Sequence, residues 1–353
     1  MYEISDLFQE GKNTRIYTAC TACMGVWSDM LSYIESVRNT ETDCFTDQIS
    51  RSSHEPTTDA IILSCQVTDL AIYNDIKVAE EIHEKYPDIT IYIGGCLAQR
   101  FDIDLPDYAR RLDVVRSGYT PLSDYVLHHT VDYRKPFWNP NLKEEDGEFE
   151  DGNLFRHMYP LKTGAGCHGK CRYCTIRDTR GPSYEANAFL QITEFLDHED
   201  VVLVSDSPTI RQIKDWCYIS ARYNKPISFR NVEPPVANAC RRDLLGLAEA
   251  GLLKIFHCPI QSNIPDVLKA MNRNVDETFR YIELAQELRK AGVFVATNII
   301  IDYCVDGKLY QNPDEAWMKE HFDYYVWNPY FDGNFDMEKA TERFRKYITD
   351  CRS

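Results

Sequence analysis

Apolar residues in the first hundred positions follow two alternating rhythms. The runs "TRIYTAC", "DAIILSC" and "ITIYIGGC" are short and β-rich, and each ends in a cysteine: Cys20 (with Cys23 just beyond), Cys65 and Cys96. Between them the spacing becomes helical. "WSDMLSYIESV" sets Trp27, Met30, Leu31, Ile34 and Val37 on one face, and "DIKVAEEIHEKY" does the same with Ile76, Val78, Ala79 and Ile82. Strand–helix–strand repetition predicts a parallel sheet with right-handed crossovers. The carboxyl ends of such strands share one edge, where ligands collect. Three cysteines far apart in sequence are therefore expected to meet there.

The rhythm breaks at "NPNLKEEDGEFEDGN", residues 139–153, which is acidic, polar and bounded by turn residues. Strand-like runs resume at "YPLKTGAGC", "DVVLVSD", "KPISFRNV", "LLKIFHCPI", "VFVATNIII" and "FDYYVW", with helical patterns such as "DETFRYIELAQELRKAG" between some of them. Repeated βα units predict a full or partial α/β barrel whose chemistry sits at the C-terminal strand ends. The expected organisation is an N-terminal α/β domain over residues 1–138, a linker over 139–155 and a barrel domain over 156–353.

A chain of 353 residues that is 44% apolar can build two cores. No basic start with an apolar h-region opens it, and no apolar run approaches the ~18 residues of a membrane span. The expectation is a soluble, cytoplasmic protein with no membrane partner. Thirteen cysteines, an odd number spread over a long chain, point to reduced thiols used as ligands. The net charge of −16 opposes extended contact with a phosphate backbone.

The densest cysteine cluster is "GAGCHGKCRYCTIRDTRGP", residues 164–182, with Cys167, Cys171 and Cys174 spaced C-x3-C-x2-C. Structural zinc wants four protein ligands, and His168 is too near Cys167 in sequence to converge easily on the same ion. Buried, unconnected thiols are a second reading, although glycine-spaced loop cysteines make poor core. The third is a 4Fe-4S cluster with one iron left open by the protein.

With Tyr173 as the aromatic, C-x3-C-x-aromatic-C resembles the signature of radical S-adenosylmethionine (SAM) enzymes. "TRG" after the third cysteine, "NVEPP", "HCPIQSNIPDVLKAMNRNV", "FDYYVWNPY", "LSCQVTD" and "GGCLAQR" resemble, in order, segments of the methylthiotransferase branch. The resemblance implies two 4Fe-4S clusters. One, on Cys167, Cys171 and Cys174, would chelate SAM and cleave it to a 5'-deoxyadenosyl radical. The other, auxiliary, would sit on Cys20, Cys65 and Cys96 and present sulfur to the substrate radical, both open irons facing one cavity. Cys23 is the alternative to Cys20. Met30, ten positions after Cys20, matches a methionine the family often places there.

Further roles are implied residue by residue: Tyr173 at the SAM adenine, Glu233 and Gln261 at its ribose or amino group, and Arg273 at its carboxylate. The plainer readings are an exposed loop tyrosine, strand-end helix caps and a structural ion pair. His257 reads as a core histidine. An electron donor such as flavodoxin or ferredoxin is implied as a partner.

The chain also departs from the family pattern. Ser205, Asp206 and Ser207 replace a glycine, a glutamine and an asparagine, and Asn298 and Asp302 replace an acid and a glycine. The sequence ends soon after "FDYYVWNPY", and the expectation is an enzyme without the family's C-terminal β-barrel, called TRAM, that helps grip RNA or the protein substrate. The expectation is a radical SAM enzyme that inserts sulfur or a methylthio group into a small molecule or peptide, with nucleic acid disfavoured. The alternatives are a tRNA or ribosomal-protein methylthiotransferase without the barrel, an auxiliary cluster that only binds substrate or relays electrons, and a non-catalytic metal-binding module.

Overall fold

Why the cysteine-terminated runs become strands is visible in their burial. In the computed structural model, which describes residues 2–3, 14–18, 46–47, 59–113, 155, 158–180 and 183–342, all six positions of the run Asp59–Ser64 are buried. A strand covered on both faces needs a continuous apolar run rather than alternation. The strands are β1 (Tyr2–Glu3), β2 (Thr14–Thr18), β3 (Thr46–Asp47), β4 (Asp59–Ser64), β5 (Thr90–Gly95) and β6 (Ala109–Asp113). They form one parallel sheet in the order β3-β2-β4-β5-β6-β1. The helix Asp69–Lys85 crosses from β4 to β5, starting where the Thr68 hydroxyl accepts the Ala71 N–H. It buries Ile72, Ile76, Ala79 and Ile82, while Val78 is only half-buried. Cys20, Cys23 and the helical pattern around Met30 lie outside the described residues, as does the acidic run at 139–153.

The second sheet begins at β7 (Tyr159–Lys162), followed by the short antiparallel pair β8 (Gly164–Ala165) and β9 (Tyr184–Glu185). It continues through β10 (Val201–Val204), β11 (Ile227–Phe229), β12 (Leu253–His257) and β13 (Phe294–Ile301). A hairpin, β14 (Cys304–Val305) and β15 (Lys308–Leu309), precedes the last strand, β16 (Tyr324–Pro329). The main sheet runs β7-β10-β11-β12-β13-β16, with every pair parallel and neighbours in chain order. Helices fill the crossovers, among them Ile210–Tyr223, Arg241–Glu249 and Val275–Lys290. This is a partial (β/α) barrel, as the βα rhythm predicted. Its interior holds Trp216 edge-on to Phe195, and Phe229 edge-on to Phe256.

Two compact units separate in the chain. Among described residues the second unit spans Met158–Asp332, and Gly333 onward groups with the first. The Arg100 guanidinium donates to the Gly333 carbonyl within the first unit. No helix among the described residues is long and apolar enough to cross a membrane.

Candidate functional site

In the first unit, Cys65 and Cys96 each follow a strand directly, and the β4–β5 register pairs Ser64 with Gly95. The two thiols therefore leave adjacent parallel strands at one level, both buried. Their backbone is held tightly. The Cys65 N–H donates to the Asp75 carboxylate at 2.7 Å, and the Cys96 N–H to the Ser64 carbonyl at 3.2 Å. The turn after Cys96 is closed by Arg111, which donates to the Leu97 and Ala98 carbonyls at 3.1 Å each. Gly95, at φ +82°, is required here, because a Cβ would lie 2.5 Å from the Ser64 carbonyl oxygen.

In the second unit, Cys167, Cys171 and Cys174 sit on the loop after β8. Three fixings hold it. Asp206, just beyond β10, accepts the Gly166 N–H at 2.7 Å and the Arg180 Nε–H at 2.6 Å, tying both ends of the cysteine stretch to one carboxylate. The segment after Ala270 supports the middle: the Arg172 N–H donates to the Met271 carbonyl, and the Asn272 amide donates to the Lys170 carbonyl at 2.8 Å. Arg172 also pairs with Asp306 of the β14–β15 turn at 3.3 Å. Tyr173 packs its ring on the cluster of Val267, Met271, Ile300 and Tyr303.

Arg273 lies under this loop with its side chain only 4% exposed. Nη1 donates to the Tyr173 hydroxyl at 2.9 Å and reaches Cys171 Sγ at 3.7 Å. Nη2 donates to Glu233 at 2.6 Å and to the Pro259 carbonyl at 2.8 Å. Desolvation pushes the Cys171 thiol upward, and the Arg273 charge opposes the push. Cys167 accepts the Gly169 N–H at 3.1 Å. Cys174 lies within electrostatic range of both other thiols. Among the described residues, no three His, Cys, Asp or Glu side chains converge on one metal position.

The structure thus joins Cys171, Tyr173, Glu233 and Arg273 in one bonded group. Gln261 shares no hydrogen bond with that group; its backbone pairs with Asn298 and Ile300 of β13. Arg273, expected at a SAM carboxylate, has both terminal nitrogens engaged within the protein. His257 is a core histidine: Nδ1 accepts the Asn231 N–H at 3.1 Å, which leaves the proton on Nε2 facing Asn298 at 3.2 Å. Burial, reinforced by the Arg230 charge, lowers its pKa to about 3. Four non-glycine residues around these strand ends, Asn231, Gln261, Asn272 and Asp302, adopt left-handed backbone. Asp302 is steadied there by two hydrogen bonds with Asn312.

Two residues of this site escaped sequence reasoning, Asp206 and Asn272. The available signal for Asp206 was Arg180, a motif arginine on a half-apolar stretch that would need a carboxylate if buried.

The family model of the radical SAM superfamily matches residues 161–303, which hold the cysteine loop and the Glu233–Arg273 pair. Residues 161–303 thus form a radical SAM domain. Curated proteins similar to the chain bear methylthiotransferase or methylthio-nucleoside synthase names. The tRNA-2-methylthio-N(6)-dimethylallyladenosine synthase of Pelagibacter ubique is 22% identical over 69% of this chain and 60% of its own length. That of Endomicrobium trichonymphae is 24% identical over 72% and 63%. A Methanothermobacter thermautotrophicus protein named "Probable threonylcarbamoyladenosine tRNA methylthiotransferase" is 26% identical over 69% and 61%. The chain spans about six-tenths of the length of these relatives. Radical SAM methylthiotransferases use SAM and two 4Fe-4S clusters.

Proposed function

We propose that this radical SAM enzyme transfers a methylthio group to a tRNA nucleoside. The observation that carries the chemistry is the loop of three closely spaced cysteines, two of whose sulfurs meet N–H donors, Cys167 from Gly169 and Cys171 from the Arg273 cation beneath. Donors aimed at sulfur suit thiolates bound to a cluster, and coordination deprotonates a thiol outright. The donor set thus fits a 4Fe-4S cluster, and Cys167, Cys171 and Cys174 are its proposed ligands. When bound and reduced, that cluster supplies the electron for SAM cleavage. The chain's part is to hold the loop, to keep Cys171 hydrogen-bonded, and to keep the cation within a paired, buried setting.

For the auxiliary cluster we propose Cys65 and Cys96 at neighbouring strand ends. Cys20, two residues past β2, completes the trio, with Cys23 as the alternative. Glu233 and Gln261 line the SAM side of the loop in this reading, while Tyr173 and Arg273 support it from within the protein. A flavodoxin or ferredoxin would deliver the electron.

The substrate differs from the one the sequence favoured. The relatives named above bear names of tRNA-modifying enzymes, which outweighs the expectation of a small molecule. A second reading, a small-molecule or peptide substrate, keeps one support: the net charge of −16 works against a polyanion.

Anaerobically reconstituted protein given SAM and dithionite should form 5'-deoxyadenosine. With unmodified tRNA added, nuclease digests should contain a methylthio nucleoside by mass spectrometry. Formation of 5'-deoxyadenosine without a modified nucleoside would move the assignment to the second reading. No 5'-deoxyadenosine at all would end the enzymatic one.

A further inference from the structure

The three loop cysteines are not equivalent. Cys167 receives a backbone N–H, from Gly169 at 3.1 Å. Cys171 receives a charged side-chain donor instead, Arg273 Nη1 at 3.7 Å. Nη1 also donates to the Tyr173 oxygen at 2.9 Å, which fixes the guanidinium beside the sulfur. A guanidinium with a side chain 4% exposed is poorly screened by water, and its counter-ion Glu233 stands on its far nitrogen at 2.6 Å. Donors and positive charge near a cluster sulfur stabilise the more negative, reduced cluster and raise its reduction potential.

We propose that Arg273, held in place by Tyr173 and acting on Cys171, is a positioning residue that sets the reduction potential of the SAM-cleaving cluster, with Glu233 moderating its charge. This rests on Cys171 being a ligand of that cluster. It differs from the SAM-carboxylate role, because Nη1 and Nη2 are both spent on groups of the protein itself.

The geometry fixes three signs. Tyr173→Phe removes the partner that fixes Arg273 Nη1 beside Cys171 and lowers the potential. Arg273→Gln removes a cation as well as a donor and lowers it further. Glu233→Gln leaves the cation without its counter-ion and raises it.

The experiment is a redox titration followed by EPR, without SAM, on the reconstituted full chain. Cys65 and Cys96 are changed to alanine in every sample so that the auxiliary cluster contributes no signal. Tyr173→Phe should lower the reduced-to-oxidised ratio at a fixed potential about threefold, and Arg273→Gln about tenfold or more, the latter equal to about 59 mV for one electron. Glu233→Gln should raise that ratio. If Arg273→Gln does not hold a cluster, the opposite shifts of Tyr173→Phe and Glu233→Gln decide. Unshifted potentials in those two variants would overturn the proposal, as would an Arg273→Gln variant that loses SAM affinity with its potential unchanged. If the reference protein shows no reducible cluster, the cluster assignment itself has failed, which is a different result from an unshifted potential.

Discussion

The two units place their cysteines by different physical means. In the first, Cys65 and Cys96 are brought level by strand register, with Asp75 and Arg111 fixing the turns just beyond the strands. In the second, three cysteines within eight residues occupy a loop that side chains from remote positions must restrain: Asp206, Asn272, Arg273 and Asp306. A sheet sets the level of its thiols through ladder hydrogen bonds, so substitutions of surrounding side chains other than Asp75 and Arg111 should be absorbed there. A loop positions them through particular side chains, and should fail when one of those is lost. The difference suits the roles proposed above, because side-chain donors also tune the sulfur they hold.

The sharpest separation comes from removing the thiols. Cys171→Ala with Cys174→Ala should lower bound iron from about eight to about four per chain and abolish 5'-deoxyadenosine formation, judged by iron assay and chromatography. Cys65→Ala with Cys96→Ala should halve the iron similarly but keep SAM cleavage, losing only sulfur transfer. Loss of cleavage in both pairs would erase the distinction between the units.

Next in size, Asp206→Ala would remove a partner of Arg180, whose side chain is 3% exposed, together with the acceptor of the Gly166 N–H. Removing one partner of a buried ion pair costs about 3–5 kcal/mol, read as a lower denaturation midpoint. Arg180→Met in the same background should recover part of the loss.

Gly95→Ala is the corresponding stress on the sheet edge. The left-handed backbone costs about 1–2 kcal/mol, and the contact with the Ser64 carbonyl forces a further shift, so both stability and auxiliary iron should fall. Full stability in this variant would show the edge to be more pliant than its register implies.

The smallest effect concerns pH within the barrel. Unfolded histidine takes its proton near pH 6.5, whereas buried His257 takes it only near pH 3. Between those values the unfolded chain binds one proton more, so stability falls as pH falls. Desolvation raises Glu194 from 4.5 to about 7, against the Tyr159 hydrogen bond, which favours the carboxylate. The folded chain therefore binds the extra proton between pH 4.5 and 7, and stability falls as pH rises. The two slopes nearly cancel from pH 4.5 to 6.5. Glu194→Gln should expose the His257 slope, about 1.4 kcal/mol per pH unit, in melts across that window.

Much of the architecture was legible because burial on both faces writes itself as runs such as "DAIILS" and "FVATNIII". The strand β6 was not, since "ARRLD" offers only Leu112 as an apolar anchor and joins the sheet by backbone pairing with β5. At the cysteine loop, thiol spacing is local and can be counted. The Asn272–Lys170 and Asp206–Gly166 bonds span 102 and 40 residues, and no local pattern announces them. Asp206 read as a departure from the family motif and proves to be a clamp. Asp302 read likewise, and its left-handed backbone explains why a glycine can stand at that position elsewhere.

That left-handed quartet, Asn231, Gln261, Asn272 and Asp302, has a practical meaning for anyone who diversifies the rim of this barrel by mutagenesis. Asparagine, aspartate or glycine should survive selection at these four places, while valine, isoleucine and threonine should vanish from the recovered libraries whatever the substrate offered. The usable diversity lies between these hinges of backbone shape.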